Sequence, residues 1–253
     1  MHVFACQYDI VWEDKPSNHA LVDRMLADQT IPEGSLIVLP EMFDTGFTMH
    51  ADKAADDRGD SRRFLQGLAA RYRSAVVAGM VQRDEAGRGM NQAVVFGPGG
   101  EELACYTKMH PFTPGGEHEH YRAGESVVTF SYAGFTIAPL ICYDLRFPER
   151  FREAVRLGAE LFVVIANWPD SRAAHWTTLL SARAIENQAF SVGVNRTGYD
   201  PRVHYPGLSL IVDPRGRILA QAGDEPVVLS AKLEHQELSD YRRKYPFLAD
   251  MRG

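Results

Sequence analysis

The chain is short of cysteine, of basic charge and of long apolar runs, and each shortage removes a class of protein. Its three cysteines, Cys6, Cys105 and Cys142, lie far apart in 253 residues. Their number is odd and no C-x-x-C occurs, so neither a disulfide framework nor a structural zinc site is indicated. Lys and Arg total 27 against 33 Asp and Glu, a net charge of −6. Nucleic-acid binding needs a basic face. The densest basic cluster, Arg242 to Lys244, is short and reads as a solvated helix end. Apolar runs such as Leu36 to Leu39 and Leu161 to Ala166 are far too short to cross a bilayer. The N-terminus has neither the basic n-region nor the long apolar core of a signal peptide. No nucleic-acid or membrane partner is therefore expected, and a reducing, cytoplasmic location is. The phosphate and dinucleotide loops G-x-x-x-x-G-K-[ST] and G-x-G-x-x-G are also absent. So is the serine-hydrolase elbow, since the stretch from Gly207 to Leu210 lacks its second glycine.

What is present is an ordinary globular composition, 45% hydrophobic and 24% charged, with no linker, repeat or low-complexity segment. Residues 1–253 read as one domain. Apolar patterning and turn residues predict strands at 2–7, 35–39, 75–81, 92–96, 102–106, 126–130 and 135–141. Further strands are expected at 161–166, 190–194, 208–212, 218–222 and 227–232. Helices are expected at 17–27, with Ser17 as N-cap, and at 61–73, 148–157, 173–188 and 236–244. Strands follow strands directly in several places, while helices return in others. That order indicates an α/β fold of two mixed sheets with helices outside.

Four features carry titratable chemistry, and three stand at the end of an apolar strand or just after it. Cys142 ends the run from Thr136, and Phe147-Pro148-Glu149 then opens a helix. A thiol at such an edge is reachable, with backbone N–H groups of the turn facing the same space. The plain alternative is a packed small hydrophobe. Glu41 follows Ile37 to Pro40, where partial desolvation would raise its pKa and make it a better proton carrier. Otherwise it caps a helix or faces water. Lys108 follows Ala104 to Thr107, and an ammonium there could hold a developing oxyanion; otherwise it is a surface lysine. The loop Pro114 to Tyr121 contains Glu117-His118-Glu119-His120. A metal reading is weak here, because alternate residues of an extended loop point opposite ways and no second ligand cluster is evident. A carboxylate that orders a nearby lysine is more economical.

Taken together, Leu39-Pro40-Glu41, Tyr106 to His110 and Ile141 to Arg146 resemble the nitrilase, or carbon–nitrogen hydrolase, superfamily. Ala166 to Pro169, Arg183 to Asn187, Val194 to Gly198 and the Asp213 to Gly216 turn fit the same pattern. The resemblance implies a four-layer α-β-β-α sandwich and no metal or organic cofactor. It implies Glu41 as general base, Lys108 as oxyanion holder and Cys142 as nucleophile, with a backbone N–H near Tyr143 also meeting the oxyanion. A second glutamate in the loop after the lysine positions that lysine and the substrate nitrogen. Glu117 stands seven residues before Gly124, the spacing of relatives, and is preferred to Glu119. Lys108 is further expected to ease thiolate formation at Cys142.

Pro40 to Met49, Gly116 to Tyr121 and Gly193 to Asp200 look most like the omega-amidase branch. That branch implies a small-molecule amide substrate, a 2-oxo acid ω-amide with a carboxylate at its far end. Arg146 is one candidate for that carboxylate, against an ion pair with Asp144 or a nearby Glu. Trp168, Phe43 and Phe47 could wall the pocket or pack in the core. N-carbamoyl amine hydrolase, nitrilase and a non-catalytic thiol-bearing interaction protein are the other readings. Homodimers or larger homo-oligomers are implied by the resemblance alone.

Overall fold

The computed structural model describes residues 1–252. The first half runs β1 (His2–Gln7), α1 (Lys15–Ala27), β2 (Leu36–Val38), α2 (Ala51–Ala54), α3 (Asp60–Tyr72), β3 (Ala75–Arg83) and β4 (Gly89–Phe96). Next come β5 (Glu102–Thr107), α4 (Glu117–His120), β6 (Phe130–Tyr132), β7 (Phe135–Ile141), α5 (Pro148–Arg156) and β8 (Leu161–Ala166). The remainder is α6 (Ala173–Asn187), β9 (Phe190–Asn195), β10 (Thr197–Tyr199), β11 (His204–Pro206), β12 (Leu210–Val212), β13 (Ile218–Gln221), β14 (Val227–Lys232) and α7 (His235–Lys244).

Two six-stranded sheets result, ordered β14-β1-β2-β3-β4-β5 and β13-β12-β9-β8-β7-β6. Each is mixed. The central strands β1, β2 and β3 run parallel, as do β7, β8 and β9, and the outer pairings are antiparallel. Side-chain alternation explains the stacking. Val3, Ala5, Val38, Val77 and Val95 face the second sheet and share its core, whereas Phe4, Cys6, Ile37, Val76 and Phe96 face outward. Val22 and Leu26 of α1, with Leu65 and Leu68 of α3, cover that outer face. Phe151 and Ala154 of α5, with Leu180 and Ala184 of α6, cover the outside of the second sheet. Four layers follow, α-β-β-α. A one-residue slip in any inner strand would turn its apolar set out of this core, which fixes the register.

Several boundaries differ from expectation for local reasons. Helix α1 begins at Lys15, and its N-cap is Asp14, not Ser17. The Asp14 carboxylate accepts from the Ser17 N–H at 3.1 Å and from the Ser17 hydroxyl at 2.8 Å. Strand β6 occupies 130–132 rather than 126–130, pairing tightly around the turn into β7. The small β10–β11 ribbon was not expected; its strands are only three residues long and flank Pro201. Arg242 is not a solvated helix end, since its guanidinium donates to the carbonyls of Gln188 and Ala159 at 2.9 and 3.0 Å. Among the described residues, no helix is long and apolar enough to cross a membrane.

Candidate active site

The C-terminal ends of β2, β5, β7 and β8 lead into one region. In mixed α/β sheets that is where ligands gather. Cys142 leaves β7 with φ of +45°, a left-handed conformation that costs a non-glycine residue roughly 1–2 kcal/mol. It opens a short 3-10 turn, Cys142–Arg146. The turn is held by Asp144, which is fully buried. Its carboxylate accepts from the Ile141 N–H at 3.1 Å, the Tyr106 hydroxyl at 2.7 Å and the His110 N–H at 3.0 Å. Asp144 is thus occupied, and Arg146 does not pair with it.

Glu41 neither caps a helix nor faces water. Its exposure is 0%, on a segment that continues the β2 pairing past its regular end. The Leu39 N–H donates to the Val77 carbonyl at 2.8 Å, and the Phe43 N–H to that of Gly79 at 2.8 Å. This approach is so close that a Cβ on Gly79 would sit 2.5 Å from the Glu41 Cα. Lys108, 1% exposed, projects from the end of β5 and is not a surface lysine. Its Nζ donates to Glu41 Oε1 at 2.8 Å and to Glu117 Oε2 at 2.8 Å. The segment Glu117–His120 is a helical turn, not an extended loop. It buries Glu117 completely and leaves Glu119 exposed. The Phe112 N–H donates to Glu117 Oε2 at 2.5 Å. Among the described residues, no group of three or more His, Cys, Asp and Glu side chains is arranged to hold a metal ion.

Two asparagines complete the array without having been anticipated. Asn91 Nδ2, from β4, donates to Glu41 Oε1 at 2.7 Å and to Glu117 Oε1 at 2.9 Å. The Asn167 N–H donates to Glu41 Oε2 at 2.9 Å, and its Nδ2 to the Glu41 carbonyl at 2.7 Å. Asn167 belongs to a motif readable in the sequence. Asn91 sits inside a strand with no signal around it.

Burial works against the Lys108 ammonium, but the Glu117 and Glu41 carboxylates outweigh it and hold its pKa well above the usual lysine range. Burial pushes the Glu117 carboxyl up, with Lys108 pulling against it and Glu41 adding to it. Burial also pushes the Cys142 thiol well above its ordinary value, and Glu41 reinforces this. Lys108 opposes the rise without overcoming it, so the thiol rests protonated. The expected easing by Lys108 is therefore real but not decisive. A thiol in that state ionises only where a base takes its proton.

Above the array lies a cleft of about 400 Å³ that reaches Cys142. Tyr143, Arg146, Trp168 and Phe47 all line it. Trp168 serves both as wall and as core, being 2% exposed. Phe47 places its ring 5.2 Å from Lys108 Nζ. Phe43 lies instead in the core, stacked on His19 with centroids 5.5 Å apart.

A thiol at a strained turn, beside a buried carboxylate and ammonium, is equipment for acyl transfer, carried here on a two-sheet α/β frame. The chain belongs to the carbon–nitrogen hydrolase family, whose model matches residues 3–243. It is 39% identical to omega-amidase YafV of Escherichia coli K12 over 246 residues, covering 96% of this chain and 94% of that protein. It is 35% identical to 2-oxoglutaramate amidase of Bacillus subtilis over 248 residues, 97% and 95% of the two chains. A CN-hydrolase superfamily protein of Xanthomonas campestris, solved with an arsenic adduct in its active site, matches with a TM-score of 0.94 and 32% identity. That match covers 100% of this chain and 97% of the other. The chain is accordingly an amidase, a hydrolase of amide carbon–nitrogen bonds.

Proposed function

We propose that the protein hydrolyses the terminal amide of short 2-oxo acid ω-amides, 2-oxoglutaramate and 2-oxosuccinamate, through a thioester on Cys142. The observation that supports this most is the Lys108 ammonium held 2.8 Å from both Glu41 and Glu117, beneath the cleft that reaches the thiol. The names borne by the E. coli and B. subtilis relatives supply the substrate class.

Glu41 takes the Cys142 proton as Sγ forms its bond to the amide carbon. The carbonyl electron pair moves onto oxygen, where Lys108 and the Tyr143 N–H stabilise it. Glu41 passes the proton to the departing nitrogen, Glu117 orients Lys108 and that nitrogen, and ammonia leaves. Glu41 then takes a proton from water, the hydroxide adds to the thioester, and the thiolate departs and is reprotonated. The products are ammonia and the 2-oxo dicarboxylate. An amide is a poor electrophile with a poor leaving group, and the two-step route divides that difficulty.

The test is ammonia release from 2-oxoglutaramate, an N-carbamoyl amine and a nitrile, side by side, with carbon dioxide measured for the carbamoyl compound. The ω-amide should be turned over fastest, and Cys142→Ala should abolish turnover while keeping the wild-type melting profile. Faster cleavage of the carbamoyl amine or nitrile would overturn the substrate assignment. Activity retained without the thiol would overturn the mechanism.

A further inference from the structure

Resting on that reading, we propose that Arg172, assisted by Arg146, forms a carboxylate-binding end of the cleft and selects amides with a negative charge remote from the scissile bond. The molecule has a net charge of −6, yet its cleft is lined by Arg146, Arg172 and Arg202 against one carboxylate, Asp200. Asp200 is already engaged. It accepts from the Tyr205 hydroxyl at 2.6 Å and from the Arg202 and Val203 N–H groups at 2.7 Å each. The cationic side therefore dominates the space a substrate enters, and such a field in a walled cleft attracts anions.

Arg172 and Arg146 lie on a continuous aromatic wall. The Arg146 guanidinium sits 4.8 Å over the Trp168 ring and 5.9 Å over Tyr143. Tyr143 meets Phe112 edge-on at 5.0 Å, and the Arg172 guanidinium lies 5.2 Å over Phe112. Trp168 Nε1 donates to the Arg172 carbonyl at 2.8 Å, closing the circuit. Stacking fixes a guanidinium plane while leaving its edge donors unspent. The buried arginines Arg183 and Arg196 are each paired with a carboxylate, Glu186 and Asp9. Arg146 Nη2 meets only a histidine ring, His175 Nδ1 at 3.2 Å. Among the described residues, neither Arg146 nor Arg172 has a carboxylate partner. Arg172 is the better placed of the two, with its guanidinium donors uncommitted, and helix α6 opens directly after it with no acidic side chain in its first turn. Arg202 is exposed and screened by solvent. A guanidinium fork of this kind matches a carboxylate in bidentate geometry.

The test compares kcat/KM for succinamate with that for uncharged butanamide in wild type, Arg172→Met, Arg172→Lys and Arg146→Met. A ratio taken within one preparation is independent of the fraction folded. Wild type should prefer succinamate. Arg172→Met should lower the preference by about 10- to 100-fold, the range for a hydrogen-bonded charge, chiefly through KM. Arg172→Lys should restore part of it, and Arg146→Met should cause a smaller loss. If wild type prefers succinamate and Arg172→Met keeps that preference within about threefold, the Arg172 assignment falls and the ω-amide reading stands. If wild type cleaves butanamide but not succinamate, both fall.

Discussion

Removing the Lys108 charge should unsettle the fold as well as the chemistry, and the loss should depend on pH in a defined direction. Lys108→Met keeps most of the unbranched stem of the side chain and deletes an ammonium that donates to two carboxylates at 2.8 Å, both 0% exposed. Breaking a buried charge pair costs about 3–5 kcal/mol, because the partner is left uncompensated. For a chain of this size each kcal/mol moves the melting midpoint by about 2–4 °C, so the variant should melt about 6–20 °C below wild type near neutrality. Catalysis should fall by about 10²–10³ in kcat, the usual cost of an oxyanion donor, with KM less affected. The sign with pH follows from the carboxyl. Glu117 is already raised above the ordinary 4.5, and without the opposing ammonium it rises further. A raised group gives stability that is present below its unfolded value and lost as pH rises through its folded value. The wild-type ammonium is raised above 10.5, so its contribution is complete below that value and constant across the acidic range. The gap between variant and wild type should therefore narrow from neutrality towards about pH 5, as a proton takes the place of the ammonium. Thermal or urea melts at the two pH values measure it. A gap below about 1 kcal/mol at neutrality, or one of equal size at both, would refute the reasoning.

Gly79→Ala should act on Glu41 without touching substrate. The new Cβ would lie 2.5 Å from the Glu41 Cα and the Met42 nitrogen, so the backbone must move. A loss of about 1–3 kcal/mol in stability is expected, with kcat falling about 100-fold in the folded fraction; a variant with wild-type kcat would show that Glu41 tolerates displacement. Thiolate absorbance in the ultraviolet provides a further check. Burial raises Cys6 to about 12 and Cys105 to about 11, and Cys142 stands well above 9.0, so the difference spectrum between wild type and Cys142→Ala should be silent below pH 9. A thiolate signal at neutral pH would mean that Cys142 is ionised before the substrate arrives.

Glu41, Lys108 and Cys142 were legible because each interrupts an apolar strand at the point where it leaves the sheet. Glu117 was legible through Gly124, where a Cβ would meet the Thr107 carbonyl oxygen at 2.1 Å. That glycine lets the chain return against the lysine strand, so the spacing to it carries structural meaning. Asn91 was not legible. An amide inside a strand looks the same whether it faces a carboxylate or water, and only the return of α4 beside β4 decides. Arg172 was hidden for a similar reason, since its role depends on which aromatic ring lies under it. The α1 boundary turned on Pro16, which favours the first turn and so moves the cap back to Asp14.

Glu41 and Lys108 rise from one sheet, Cys142 and Asn167 from the other. The working distances of the site are therefore set by the spacing between two stacked sheets, about 10 Å of interdigitated side chains. The Asn167–Glu41 and Tyr106–Asp144 hydrogen bonds act as rivets across that gap. The apolar filling between the sheets is in this sense a gauge block. A substitution at Val95 or Ala138, remote from every proton that moves, can alter turnover by changing the thickness of the block. Substitutions on the part of the cleft wall outside that filling, at Arg172 for example, leave the gauge alone and are free to change which amide is admitted.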